Sequence, residues 1–200
     1  EGTNAIIKRD ESNLGYLFLI KTTDNVTLKN ITIDGNGDSV FAINSLINCE
    51  GNLTIADGSI LQNNKTFSAT DKKRTCGGAI YGNSNSCVIN MTGGIIQDNT
   101  AVWGGGIFLT NNAKLNMTSG IIRNNQVFNG PDMSSWNDAA AGGGVCLKEG
   151  ATFNLSGNAL IQNNFSQEVG GGVSVGAIEA SINRSNFFYM NGGKIDQNTS

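Results

Sequence analysis

Ile96-Gln97-Asp98-Asn99-Thr100-Ala101-Val102-Trp103-Gly104-Gly105-Gly106-Ile107 joins two short elements that return through this chain. The first is an Ile followed three residues later by an Asn, at Ile33/Asn36, Ile60/Asn63, Ile96/Asn99, Ile122/Asn125, Ile161/Asn164 and Ile195/Asn198. Successive Asn residues of this set stand 27, 36, 26, 39 and 34 positions apart, so a base period near 27 is stretched by insertions. The second element is Gly-Gly-small-aliphatic, at Gly77-Gly78-Ala79-Ile80, Gly104-Gly105-Gly106-Ile107, Gly142-Gly143-Gly144-Val145 and Gly170-Gly171-Gly172-Val173. A period of about 20–50 residues made of short apolar runs and turn residues signals stacked repeats.

Within one repeat the apolar residues alternate. Ile107, Leu109, Leu115, Met117 and Ile122 point one way, and Phe108, Asn116 and Thr118 the other. The pattern returns as Ile80, Ile89, Met91 and Ile96, and as Val145, Leu147, Leu155 and Ile161. Period-2 alternation in such short runs predicts strands, not helices. Three short strands per repeat, all running the same way, predict an all-β chain folded as a right-handed single-stranded parallel β-helix of six to seven coils. Stacking coils at the roughly 4.8 Å strand spacing makes one aliphatic interior. The recurring Asn then has a structural role. Asn36, Asn63, Asn99, Asn125, Asn164 and Asn198 are expected to form an internal ladder, each amide bonding the next.

The chain reads as a single β-helix domain over residues 1–200. Residues 1–63 look like generic coils, and 64–200 carry the Gly-Gly and Ile-x-x-Asn coils, with insertions at 64–76, 126–141 and 177–187. Both ends fall in mid-repeat, so a longer parent protein is expected. A net charge of −3 without a basic stripe argues against nucleic acid. No apolar run reaches the ~18–20 residues of a membrane span, so no membrane insertion by this segment is expected. The Cys spacing fits no zinc site and no cofactor is called for. Cys49 and Cys87 fall at nearly the same place in neighbouring repeats and are a possible disulfide; unpaired buried thiols are the alternative.

The stretch Ile96–Ala101 followed by Gly104–Phe108 resembles the paired motifs of chlamydial polymorphic membrane proteins. It is equally similar to the Gly-Gly and Gly-Asn-Thr-Ala repeats of large surface proteins in gut Firmicutes and in some parasitic protists. The motifs cover residues 58–198. The resemblance implies the pectin-lyase-like right-handed β-helix and a secreted or surface-attached adhesin or structural stalk.

Many β-helices of that type act on polysaccharides, so an enzyme is the first alternative. Glycoside hydrolysis needs two carboxylates about 5–9.5 Å apart across the scissile bond. Asp34 and Asp38 are the only close pair on a strand end, and Asp34 before Gly35 also suits a plain turn. Without His, neither a Ser–His nor a Cys–His nucleophile can be built. Catalytic residues are therefore assigned to none.

A binding surface is the stronger expectation. Two insertions and both Trp residues fall at one recurring corner, where solenoids commonly bind partners. Phe67, Lys72, Lys73, Arg74, Trp103, Phe128, Asp132 and Trp136 are the candidate contact residues, toward a glycan or a host or cell-surface protein. The competing reading is that each Trp packs its own loop. Asn-x-Ser/Thr also occurs ten times, which keeps a glycosylated, end-to-end self-associating rod in view. The expected place of action is extracellular or at a cell surface.

Overall fold

The computed structural model describes residues 5–67, 75–128, 140–176 and 184–200. Among them the chain is all-β, with every paired strand parallel to its neighbour and no helix. Each repeat adds strands to three sheets, and each strand pairs with its counterpart in the next repeat.

The largest sheet has 11 strands and a bend along its middle. On one side of the bend lie β1 (Ala5–Lys8), β4 (Ile31–Asp34), β8 (Ile60–Gln62), β18 (Leu160–Gln162) and β22 (Lys194–Asp196). On the other lie β3 (Asn25–Leu28), β7 (Asn52–Ile55), β17 (Thr152–Leu155) and β21 (Phe187–Met190). Two 10-residue strands, β11 (Val88–Gln97) and β14 (Lys114–Arg123), run through the bend and pair on both sides of it. They turn at Gly94 and Gly120, whose φ values of 73° and 89° a residue with a Cβ rarely adopts. The register shifts there as in a β-bulge.

A six-stranded sheet holds β2 (Phe18–Ile20), β6 (Ile47–Cys49), β10 (Ile80–Gly82), β13 (Ile107–Leu109), β16 (Val145–Leu147) and β20 (Val173–Val175). A five-stranded sheet of two-residue strands holds β5 (Phe41–Ala42), β9 (Lys65–Thr66), β12 (Thr100–Ala101), β15 (Gln126–Val127) and β19 (Phe165–Ser166).

The alternation read from the sequence sorts most positions, but at β8 Leu61 and not Ile60 turns inward, and the outward Phe108 is covered by neighbours. Ile107, Leu109, Leu115, Met117 and Ile122 are all fully buried in one core cluster with Ile80, Ile89, Val145 and Ile161. Each such burial stabilises the fold by about 1.5–3 kcal/mol. Parallel, stacked strands around buried Asn residues are compatible with the expected β-helix.

The buried Asn row differs from the expected one at its N-terminal end. Asn99, Asn125, Asn164 and Asn198 occupy it, but the rung before Asn99 is Asn64, not Asn63. Strand pairing explains the correction: Leu61 is the partner of Ile96, so Leu61 and Asn64 repeat the spacing of Ile96 and Asn99. Asn63 instead takes the left-handed turn position, φ 52°, shared by Asp98, Asn124, Asn163 and Gln197. Asn36 is buried, yet its amide donates to the Arg9 carbonyl at 3.3 Å and does not extend the row.

Cys49, Cys76, Cys87 and Cys146 are all buried, and the possible Cys49–Cys87 disulfide is not formed in this structure.

Candidate functional site

The row of Asn side chains has a direction. The backbone N–H and the Nδ2 of Asn99 both donate to Asn125 Oδ1, at 3.1 and 3.0 Å. Asn125 does the same to Asn164 Oδ1 at 2.9 and 3.0 Å, and Asn164 to Asn198 Oδ1 at 2.9 Å each. Each Nδ2 also reaches a strand carbonyl of the preceding repeat, Leu61, Ile96, Ile122 or Ile161. Every oxygen therefore faces the N-terminal end of the row, where Asn64 Oδ1 accepts from Arg9 Nη2 at 3.2 Å. Arg9 is 1% exposed. Its guanidinium also donates to the carbonyls of Asn13, Gly15 and Ser45, and burial lowers its pKa. Its acceptors are neutral, four dipoles aimed at the two Nη groups of one cation, while Nε is buried without a partner among the described residues. This row stabilises the stack, and of its members only the terminal Asn198 is partly exposed.

Of the eight corner residues, Lys72, Lys73, Arg74, Asp132 and Trp136 lie outside the described residues. Phe67 is half-buried beside β9. Phe128 is 42% exposed and leans on Phe165, ring centroids 5.4 Å apart. Trp103 is 6% exposed. Its ring stacks on Phe108 at 6.0 Å, and Lys148 Nζ sits 3.6 Å from the ring centre. It belongs to a second buried cluster with Cys76, Val102, Phe108, Ala141 and Cys146, on which Tyr81 packs. With its ring so engaged, Trp103 packs the corner and offers no open face to a ligand.

Tyr81, Phe108, Cys146 and Ser174 are in register on neighbouring strands and form one column, whose middle members this cluster buries. Burial pushes the Tyr81 phenol and the Cys146 thiol each up to about 12, with Lys148 partly opposing the shift at Cys146.

A different surface is open. The bend of the large sheet forms a groove of about 430 Å³. Its length is lined by an aliphatic strip, one residue per repeat, of Ile60, Ile95, Ile121 and Leu160. Glycine backbone and the polar residues Asp57, Ser59, Ser119 and Asn158 complete the lining. The Ser59 hydroxyl is buried with no partner among the described residues. A Cβ on Gly93 would fall 2.0 Å from Asp57 Oδ1, so glycine keeps this wall open.

Hydrogen-bonded side chains flank the strip. On β11, β14 and β17, Asn116 Nδ2 donates to Asn90 Oδ1 at 2.9 Å, and Asn154 Nδ2 donates to Asn116 Oδ1 at 2.8 Å. Across the bend Gln62 donates to Asp34 at 2.8 Å and Gln97 to Gln62 at 3.0 Å. Arg123 donates twice to Gln97 Oε1, at 3.0 and 2.8 Å. Alternation alone marks Asn116 as outward and does not reveal the groove. Its visible signal was the run Gly93-Gly94 and Ser119-Gly120 inside two otherwise regular strands.

Asp34 accepts from the Asn36 N–H and from Gln62, and Asp38 faces Lys65 at 3.5 Å. Both carboxylates thus hold the corner in place. Among the described residues no group of three or more Cys, Asp or Glu could hold a metal ion, and no helix is long and apolar enough to cross a membrane. No protein family, curated protein or solved structure matches this chain.

Proposed function

We propose that this chain is a right-handed parallel β-helix serving as a non-catalytic binding module outside the cell or on its surface. Its ligand is a glycan lying along the bend of the large sheet. One observation carries the reading: an aliphatic strip of Ile60, Ile95, Ile121 and Leu160 runs between two rows of amide-bearing side chains.

A neutral sugar chain presents C–H faces and hydroxyl edges, and sites for such ligands pair apolar contact with a few placed polar groups. Asn and Gln amides offer both a donor and an acceptor, which suits hydroxyls. The repeat of the strip, one side chain per strand spacing of about 4.8 Å, favours an extended polymer over a compact molecule. The resemblance of the Gly-Gly motifs to those of surface proteins agrees with this place of action.

The test is a glycan-array screen of wild type beside Ile95→Arg/Ile121→Arg, with circular dichroism to check the fold, and beside Phe128→Ala as a corner control. Binding by wild type that the double variant loses, and Phe128→Ala keeps, supports the groove. Absence of binding by wild type, or loss in Phe128→Ala alone, overturns it.

A further inference from the structure

Cys49 ends β6, and its Cα partner in the next repeat is Gly82. Gly82 carries no side chain into the core, and the sulfur of Cys87 occupies that space: a Cβ on Gly82 would lie 3.0 Å from Cys87 Sγ. The substitution is reciprocal. Where neighbouring repeats fill the position with Leu109 or Leu147, this one uses a glycine and a thiol arriving from the following strand. The two cysteines of adjacent repeats are thereby brought together, with Cys87 Sγ filling the place of a side chain on the Cα partner of Cys49. Cys49 Sγ also reaches the Gly51 carbonyl at 3.4 Å. Both residues are fully buried, whereas Cys76 and Cys146 belong to the separate Trp103 cluster.

We infer that Cys49 and Cys87 close an intramolecular disulfide when the chain folds in an oxidising compartment, cross-linking two adjacent repeats inside the core. The oxidant is a small or protein disulfide of the glutathione class. One cysteine thiolate attacks it, forms a mixed disulfide and expels one reduced thiol. The second cysteine then attacks the mixed disulfide at the protein sulfur and expels the other. Two protein thiols become one S–S bond, and the oxidant leaves as two thiols carrying the two electrons and two protons.

The geometry also sets the timing. Exchange needs a thiolate and access to it. In the finished stack both sulfurs are sealed, and the neighbouring Cys49 side chain, then burial, push the Cys87 thiol up and keep it protonated. Oxidation therefore belongs to assembly, before the repeats close, and the finished bond is shielded from reductants.

The experiment folds the full, fully reduced chain either in a glutathione redox buffer or in excess reductant, then quenches with N-ethylmaleimide in denaturant. Expected from the redox buffer is a species with two alkylated cysteines, Cys76 and Cys146, and a Cys49–Cys87 linked peptide on mapping. Its Tm should exceed that of the reduced form by about 5–10 °C. Chain folded in reductant and only then exposed to oxidised glutathione should keep four alkylatable thiols. Cys87→Ala should fold in both buffers with no difference in Tm between them. Four alkylated cysteines after folding in the redox buffer overturn the assignment. So does a linked peptide joining other cysteines, or a Tm gain that survives in Cys87→Ala.

Discussion

Asn125 donates twice to one oxygen of Asn164, from its backbone at 2.9 Å and from Nδ2 at 3.0 Å, across 39 residues of sequence. The same oxygen in the next rung receives the same pair of bonds from Asn164. A side chain thus acts in this row as a strand would, taking a neighbouring repeat's N–H at a corner where no strand runs.

Removing one rung strands several buried groups together. Asn64→Ala deletes the acceptor of Arg9 and the amide bonded to the Asn44 and Gly78 carbonyls. It should destabilise the fold by about 2–4 kcal/mol, since each buried group left unpaired costs about 1–3 kcal/mol. Asn63→Gly, one residue away at a left-handed φ of 52°, should be within about 0.5 kcal/mol of wild type. Urea unfolding of both variants decides between Asn63 and Asn64 as the rung; a larger loss at Asn63 would reject the register described.

Arg9 closes the oxygen-bearing end of that row. Arg9→Met keeps the volume but leaves the Asn13, Gly15 and Ser45 carbonyls and Asn64 Oδ1 without their donor. A loss of about 2–4 kcal/mol is expected, read as a lower urea midpoint at unchanged slope. Arg9→Lys should recover only part of it, because an ammonium lacks the planar fork that meets several acceptors at once. An Arg9→Met protein as stable as wild type would show that relieving the buried charge outweighs the lost bonds.

Alkaline pH should act on the buried acids, Cys87 among them, and most readably through Tyr81 and Cys146. Both are acids held neutral by burial, with folded pKa values raised to about 12, above their ordinary values of 10.0 and 9.0. The stability linked to such a shift is fully present below the unfolded pKa and is lost as pH rises toward the folded one. Denaturant midpoints should therefore hold to about pH 9 and fall between about 9 and 12. Tyr81→Phe should remove the part of that slope lying between about pH 10 and 12, whatever its effect at neutral pH. Parallel pH profiles for wild type and Tyr81→Phe would count against a buried phenol.

Trp103→Ala should be a stability variant. The ring is 6% exposed and stacked on Phe108, so its loss opens a cavity worth about 3–5 kcal/mol. Differential scanning calorimetry should show a clear fall in Tm, with glycan binding at the groove unchanged wherever the fold survives. A Trp103→Ala protein with wild-type Tm and lost binding would return the ligand to the corner.

How far sequence reaches is seen in single residues. Ile107 and Leu109 are legible as buried and Asn116 as outward, because a strand's side chains alternate whatever it packs against. The period near 27, the parallel strands and the Asn row at positions 99, 125, 164 and 198 follow from that same local chemistry, repeated. Asn63 and Asn64 show the limit. Both are Asn, and only the pairing of Leu61 with Ile96 decides which one turns inward. Nothing in the residues beside Arg9 marks it for burial; Asn64, 55 residues later, supplies an oxygen it donates to. Trp103 fits either a contact residue or loop packing until Phe108 and Lys148 cover it, and the groove exists only where bends from several repeats line up. Alternation is a property of consecutive residues and is written in their order. Register, covering and shared grooves are properties of neighbours brought together from distant repeats, and only the folded chain selects them.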